Sequence, residues 1–230
     1  MKSGYESGIG AWFDLLPFTK ACGTGSFPHN NIEYCNTLKH VLSKYLIRSV
    51  VDYGCGNLET YKGNIDWNFN PIKYTGYDAN IQCVNTLKNT YPLLNFEYAK
   101  LNEIPNKNAD ALIIKDVLIH WFDQDIKHFF ENVFNKYEYV IYMHSTKNQG
   151  YIDDKNKRES YEIKNPKNRK GLVIKDGKLP KPPKGWEYWK EGCYGYHAVD
   201  DNLLPLNNLI FSKNILGDSM KTFMVFKNEY

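Results

Sequence analysis

Paired cysteines, long apolar runs and an excess of charge of either sign are all scarce in this chain of 230 residues. The cysteines, Cys22, Cys35, Cys55, Cys83 and Cys193, are odd in number and include no CxxC pair. That spacing argues against a disulfide framework and a cysteine zinc site, and it is the pattern of reduced thiols. No stretch approaches the roughly 20 apolar residues that a bilayer-spanning helix needs, and the first residues show no signal-peptide core. Lys and Arg number 29 against 26 Asp and Glu, a formal net charge of +3. So close a balance argues against a charged tail or a protein that coats nucleic acid. The expectation is a soluble, cytoplasmic protein without a metal. Its length suits a single domain over residues 1–230 with room for an insertion.

What is present centres on Arg48-Ser49-Val50-Val51-Asp52-Tyr53-Gly54-Cys55-Gly56-Asn57. A β-branched apolar run of this kind suits a strand buried on both faces. It ends in a carboxylate and a Gly-x-Gly turn, where backbone can approach a ligand without side chains intervening. A second short strand, Tyr74-Thr75-Gly76-Tyr77-Asp78, also ends in a carboxylate, 26 positions after Asp52. That offset is near the roughly 20 residues expected of a carboxylate that binds ribose hydroxyls in a nucleoside-binding βαβ unit. A third junction reads Ala109-Asp110-Ala111-Leu112-Ile113-Ile114-Lys115-Asp116.

Taken in order, residues 1–30 read as an irregular arm. Ile32, Cys35, Leu38, Val41, Leu42 and Tyr45 recur at three and four, which predicts a helix over 31–45 capped by Asn30 or Asn31, with Glu33 in its first turn. Strands are expected at 49–52, 73–77, 95–98, 111–115 and 139–144. Helices are expected at 80–89 and at 124–135, the latter capped by Asp123, and a loop or short helix at 58–71. Segments 209–216 and 221–227 read as a terminal hairpin. Strands alternating with helices at this spacing give a doubly wound, mostly parallel sheet with right-handed crossovers. Residues 147–190 break the rhythm, with thirteen Lys or Arg against six Asp or Glu and four prolines.

The order Val-Val-Asp-x-Gly-Cys-Gly, Tyr-x-Gly-x-Asp and Ala-Asp-x-Leu-Ile-x-x-Asp-Val-Leu-x-His resembles the class I S-adenosylmethionine (SAM) methyltransferases over residues 45–145. A poorer match runs through Gly23-Thr24-Gly25-Ser26-Phe27-Pro28. The resemblance implies a Rossmann-like α/β fold, a seven-stranded, mostly parallel sheet with a terminal antiparallel hairpin. It also implies SAM as cofactor, with S-adenosylhomocysteine as product. Its cofactor residues fall on Asp52, Gly54, Cys55, Gly56, Asp78, Ala79 and Lys115. The acidic residue that the family usually has near the adenine is absent; Lys100 and Leu101 stand there, and their backbone groups are expected to read the base. The third glycine of the turn is missing too, since Asn57-Leu58 follows Gly56.

The segment Lys115-Asp116-Val117-Leu118-Ile119-His120 follows the fourth strand, where acceptors enter in this fold. If the chain turns helical there, Asp116 and His120 share a face at i and i+4. An Asp-oriented imidazole, with its ordinary pKa near neutral, is then a general base. His144, ending the fifth strand, and His197, after the basic segment, are the rivals. In the acceptor slot there is neither the Pro-Pro-aromatic of amino-methylating DNA enzymes nor the Pro-Cys of cytosine-C5 enzymes. Of the Lys-Asp-Lys-Glu set of cap-type ribose enzymes, Asp116 and Lys147 supply two members. Lys164, Lys167, Arg169 and Lys170 beside Trp186, Tyr188 and Trp189 suit an anionic or sugar-like ligand, in an insertion spanning 147–205. The expected activity is O-methylation (EC 2.1.1.-) of a small polar acceptor, a saccharide or phosphorylated metabolite, with the arm or the insertion as a lid. RNA ribose methylation and an inactive SAM-binding partner subunit are the alternatives.

Overall fold

Seven strands share one sheet: β1 (Ser49–Tyr53), β2 (Lys73–Asp78), β3 (Asn95–Tyr98), β4 (Ala111–Lys115), β5 (Tyr139–His144), β6 (Leu209–Leu216) and β7 (Met220–Lys227). The computed structural model describes residues 18, 24–99, 108–118, 123–144, 204–216 and 220–228. Across the sheet the order is β3-β2-β1-β4-β5-β7-β6. The first five strands pair in parallel, while β7 runs antiparallel to both β5 and β6. This is the doubly wound sheet with a terminal antiparallel hairpin that the motif order predicts. The chain runs outward from β1 to β3 and then returns to β1's other flank for β4. In sheets of this kind, ligands bind outside the carboxyl ends of the strands at that reversal.

Three helices are described: α1 (Ile32–Lys44), α2 (Ile81–Thr90) and α3 (Asp123–Asn132). Two apolar clusters divide the core between the faces of the sheet. One joins α1 and α2 to Val50, Tyr74, Ile113, Ile141, Phe223 and Val225. The other joins Phe129, Phe130, Val133 and Phe134 to Val51, Leu112, Ile114, Val140 and Phe226. Successive residues of a strand face opposite ways, so each of β1, β4, β5 and β7 feeds both clusters and reads as a near-continuous apolar run.

The differences from the sequence reading have local causes. Ile32 is 51% exposed, and Tyr34 takes the inward position of α1's first turn. Asn31 does not cap α1 with its side chain. Its amide instead donates to the carbonyls of Gly25 at 2.9 Å and Phe27 at 2.8 Å, tying the preceding turns down. Asn80 is a true cap of α2, accepting from Cys83 N–H at 2.9 Å. Helix α3 ends at Asn132, short of 135, and a 3-10 turn follows at Phe134–Lys136. There the Asn132 amide folds back onto the His128 carbonyl at 2.9 Å, the kind of local bond that competes with helix continuation. Segment 58–71 holds one short 3-10 turn, Glu59–Tyr61.

At the amino end of the sheet, Asp110 Oδ2 accepts from Arg48 N–H at 2.7 Å and Ser49 N–H at 2.9 Å, and Asp110 N–H donates to Ser49 Oγ at 2.9 Å. These bonds pin β1 against β4 in the register that sets Tyr53 opposite Ile114. The carboxyl ends of the two strands are thereby fixed side by side. Among the described residues, no helix is long and apolar enough to cross a membrane, and Cys35, Cys55 and Cys83 are buried thiols.

Candidate functional site

The turn after β1 is shaped by two left-handed glycines, Gly54 at φ +79° and Gly56 at φ +55°. Gly54 and Cys55 N–H both donate to the Tyr77 carbonyl, at 2.8 and 3.0 Å. Gly56 N–H donates to Asp78 Oδ2 and Asn80 N–H to Asp78 Oδ1, each at 2.8 Å. Asp78 therefore bridges the glycine turn and the start of α2, with its side chain partly open to solvent. Gly54 is itself exposed, and a Cβ there would overlap Val117 Cγ2 in the loop after β4. Gly54→Ala is expected to cost about 1–3 kcal/mol, from the left-handed backbone and the overlap together. Adding Val117→Ala should recover only the overlap part. Urea denaturation of both variants reads this, and a wild-type midpoint for Gly54→Ala would dismiss the constraint.

Asp52 is the penultimate residue of β1, beneath this turn, since the strand runs one residue further than the sequence reading, to Tyr53. It is 2% exposed, and its Oδ2 accepts from Tyr74 Oη at 2.7 Å and Tyr61 Oη at 2.9 Å. Trp67 stacks on Tyr74 at 4.7 Å and meets Tyr61 edge-on at 5.3 Å. Burial pushes the Asp52 carboxyl up to about 6, helped by the charge of Asp78 and opposed by the two tyrosine bonds and by Lys115. Burial and the charge of Asp52 also push the Tyr61 and Tyr74 hydroxyls well above their ordinary value, so both remain neutral donors.

At the end of β4 stands a second charged group. Asp116 Oδ2 accepts from Lys115 Nζ at 2.7 Å and from Lys221 Nζ at 2.8 Å. The lysine side chains are 7% and 9% exposed and the carboxylate 19%. Asp116 Oδ1 is buried and accepts no hydrogen bond. Burial alone would raise this carboxyl, but the two ammonium groups outweigh it and hold it well below the ordinary range. Asp116 has φ +57°, a strained conformation for a residue with a side chain. It is held there by its N–H bond to the Met143 carbonyl at 3.1 Å and by the two ion pairs. Lys115 Nζ also lies 5.8 Å from the centre of the Tyr34 ring. Alternation along β1, β4 and β7 sets Asp52, Lys115 and Lys221 on the α1 face, one step beyond Val50, Ile113 and Phe223.

Thus Asp52, Gly54, Cys55, Gly56, Asp78, Lys115 and Asp116 gather at the carboxyl ends of β1, β2 and β4, with Ala79 half-buried beside Asp78. His144 ends β5, 2% exposed and in register with Thr222. The left-handed Asp116 means that the chain does not turn helical directly at Asp116. His120, Lys100, Leu101, His197 and 147–203 lie outside the described residues. Sequence reasoning passed over Lys221, Tyr34, Tyr61 and Tyr74. Lys221 left a trace, as a lysine at the two-residue period of Phe223 and Val225, on the apolar side of its strand. Among the described residues, no group of His, Cys, Asp and Glu is arranged to hold a metal ion.

No family model matches the chain and no curated protein matches it in sequence. Solved structures do match in shape. Magnesium protoporphyrin IX methyltransferase (ChlM) from Synechocystis PCC 6803, with bound SAH, is similar at TM-score 0.58 and 12% identity, over 89% of this chain and 86% of that one. The methyltransferase domain of bacterial CtHen1 is similar at TM-score 0.53 and 14% identity, over 87% of this chain and 100% of that one. The N,N-8-amino-8-demethyl-D-riboflavin dimethyltransferase (RosA) from Streptomyces davawensis gives TM-score 0.51 and 11% identity over 86% of this chain, which spans 54% of that protein. At such identities the likeness is one of architecture, and with the strand order and the strand-end residues it gives one conclusion: the chain has the fold of the class I SAM-dependent methyltransferases.

Proposed function

We propose that the protein is a SAM-dependent methyltransferase that methylates an oxygen of a small polar acceptor such as a saccharide or a phosphorylated metabolite. The observation that carries this reading is Asp78, a partly open carboxylate fixed by two backbone N–H groups at the end of β2, beside a turn in which Gly54 leaves no room for a Cβ. The residues present fit the cofactor. Each Asp78 oxygen keeps lone pairs for ribose hydroxyls, and exposed, left-handed Gly54 lets a ligand lie against backbone. When bound, SAM supplies an electrophilic methyl on a sulfonium. The protein's part is to align the acceptor oxygen with the S–CH3 bond, and alignment alone supplies much of the acceleration in such transfers.

Asp52, buried under the same turn, is placed beside the methionine portion, and Lys100 and Leu101 beside the adenine. Transfer to a hydroxyl releases a proton, and His120, with His144 second, is the candidate to carry it to solvent. The basic segment within 147–205 is the candidate to hold any anionic or glycan part of the acceptor. Calorimetry with S-adenosylhomocysteine tests the reading. The wild type should bind it, and Asp78→Ala should lose about 1.5–3 kcal/mol of affinity, the worth of a hydrogen bond to a charged group. Asp78→Asn, which can still accept from one backbone N–H, should fall between the two. A wild type that does not bind, or an Asp78→Ala that binds equally well, would defeat it.

A further inference from the structure

Lys115, Asp116 and Lys221 form a built site, of which the cofactor reading draws on Lys115 alone and leaves Asp116 and Lys221 unused. Two ammonium groups more than nine-tenths buried converge on a single carboxylate oxygen, within 2.7 and 2.8 Å. The other oxygen, Asp116 Oδ1, is out of water with no donor on it. A buried ionised oxygen without a donor is costly and rare in native structures. The site therefore asks for a group that brings a hydrogen to Oδ1.

Three kinds of group can be compared. A carboxylate or phosphate oxygen has no hydrogen for Oδ1 at neutral pH and would meet the Asp116 charge at hydrogen-bond distance. An ammonium would satisfy Oδ1 but would sit against two lysine ammonium groups that already share the same carboxylate. A neutral hydroxyl donates its one hydrogen to Oδ1 and keeps its lone pairs, one of them free to face the methyl group. Position agrees with that choice. Register puts Lys115 and Asp116 just beyond Tyr53, beside the glycine turn, and Val117 is the residue that a Cβ on Gly54 would strike. Lys221 arrives from β7, on the flank of β4 opposite to β2 and Asp78. The cluster therefore adjoins the turn on the side away from the ribose carboxylate.

We propose that the Lys115–Asp116–Lys221 cluster is the subsite for the oxygen that receives the methyl group, and that this oxygen belongs to a neutral hydroxyl. The inference rests on the methyltransferase reading above. In the transfer, the O–CH3 bond forms as the S–CH3 bond breaks, and the bonding pair of the latter stays on sulfur as a neutral thioether. The hydroxyl proton, directed at Oδ1 before transfer, passes to solvent. Asp116 orients it and does not keep it, because the two lysines make this carboxylate a weak base. Any phosphate on the acceptor is held elsewhere.

Minimal probes test the functional group without the rest of the acceptor. In the full-length protein carrying 13C-labelled aspartate, the Asp116 Cγ resonance, assigned from Asp116→Asn, is followed by NMR with saturating S-adenosylhomocysteine. Ethylene glycol, sodium acetate and methylammonium chloride are titrated in turn at constant ionic strength. The expected result is a saturable shift with ethylene glycol at least tenfold larger than with either ion, and absent at every other aspartate. A larger saturable response to acetate or methylammonium, or none to ethylene glycol, overturns the proposal. A glycol response seen without S-adenosylhomocysteine and abolished by it also overturns it, because the cluster would then hold the cofactor's amino-acid end. Failure of the wild type to bind S-adenosylhomocysteine by calorimetry is a different result, and it removes the methyltransferase reading instead.

Discussion

Asp116→Asn is expected to lower stability by about 3–5 kcal/mol at neutral pH, the usual effect of removing one partner from a buried ion pair. The substitution isolates charge from backbone. Asparagine tolerates the left-handed conformation that Asp116 adopts at φ +57°, so the loss comes from two ammonium groups left in the interior without their counterion. With side chains 7% and 9% exposed, neither lysine has ready access to water. A triple variant that adds Lys115→Met and Lys221→Met should return to within about 1 kcal/mol of the wild type or exceed it, since apolar replacement of a whole buried ion cluster is often neutral or stabilising. Acid has a related effect of definite sign. The folded carboxyl lies below its unfolded value, so its stabilisation is present above the ordinary carboxylate range and is lost as pH falls through and below about 4. Asp116→Asn should lack that component. Urea denaturation at neutral and acid pH reads both effects, and a variant with wild-type midpoints would mean that the lysines are neutralised without Asp116.

What the sequence made legible, and what it hid, follows from the range of the interactions concerned. Strands β4 and β5 were readable to the residue because each is a short apolar run bounded by polar or turn residues, and β3 because Phe96 and Tyr98 alternate with polar Asn95 and Glu97, both purely local signals. The carboxylates Asp52, one residue before the end of β1, and Asp78, the last of β2, were readable at those places for the same reason. Their partners were not. Asp52 is held by Tyr61 and Tyr74, which lie 9 and 22 positions away, and nothing in the spacing of tyrosines says that two hydroxyls will meet on one oxygen. Lys221 reaches Asp116 across 105 positions, through a register that only the finished sheet defines. The inward turn of Tyr34 in place of Ile32 is a tertiary choice as well. A large aromatic that packs against Phe223 at 5.8 Å fills the end of the sheet better than a branched aliphatic side chain two residues earlier. The left-handed Asp116 was hidden by its own type, since aspartate is at home both in helices and in turns.

Asp52→Asn is expected to stabilise the protein at neutral and alkaline pH, by up to about 3 kcal/mol, while leaving it nearly unchanged at pH 4 and below. The figure is the free-energy equivalent of a carboxyl pushed from 3.8 up to about 6, at about 1.4 kcal/mol for each pH unit. Its sign follows from proton counting. Between about pH 4 and 6 the folded chain holds a proton on Asp52 that the unfolded chain has already released, so stability falls as pH rises through this window and stays lowered above it. Burial is the principal cause. Asp78 adds to it, while the Tyr74 and Tyr61 hydroxyls and the charge of Lys115 reduce it. Asparagine removes the ionisation and keeps an acceptor oxygen for both tyrosines, which meet on a single oxygen of the native carboxylate. The same ionisation bears on the proposed cofactor. A cationic sulfonium near Asp52 would favour the charged carboxylate, so SAM affinity should fall as pH drops through about 6, more than that of neutral-sulfur S-adenosylhomocysteine. Asp52→Asn should flatten the difference. Chemical denaturation at about pH 4, 6 and 8 decides the stability claim. Wild-type and variant curves that stay parallel across the three would mean that Asp52 ionises normally in the folded state.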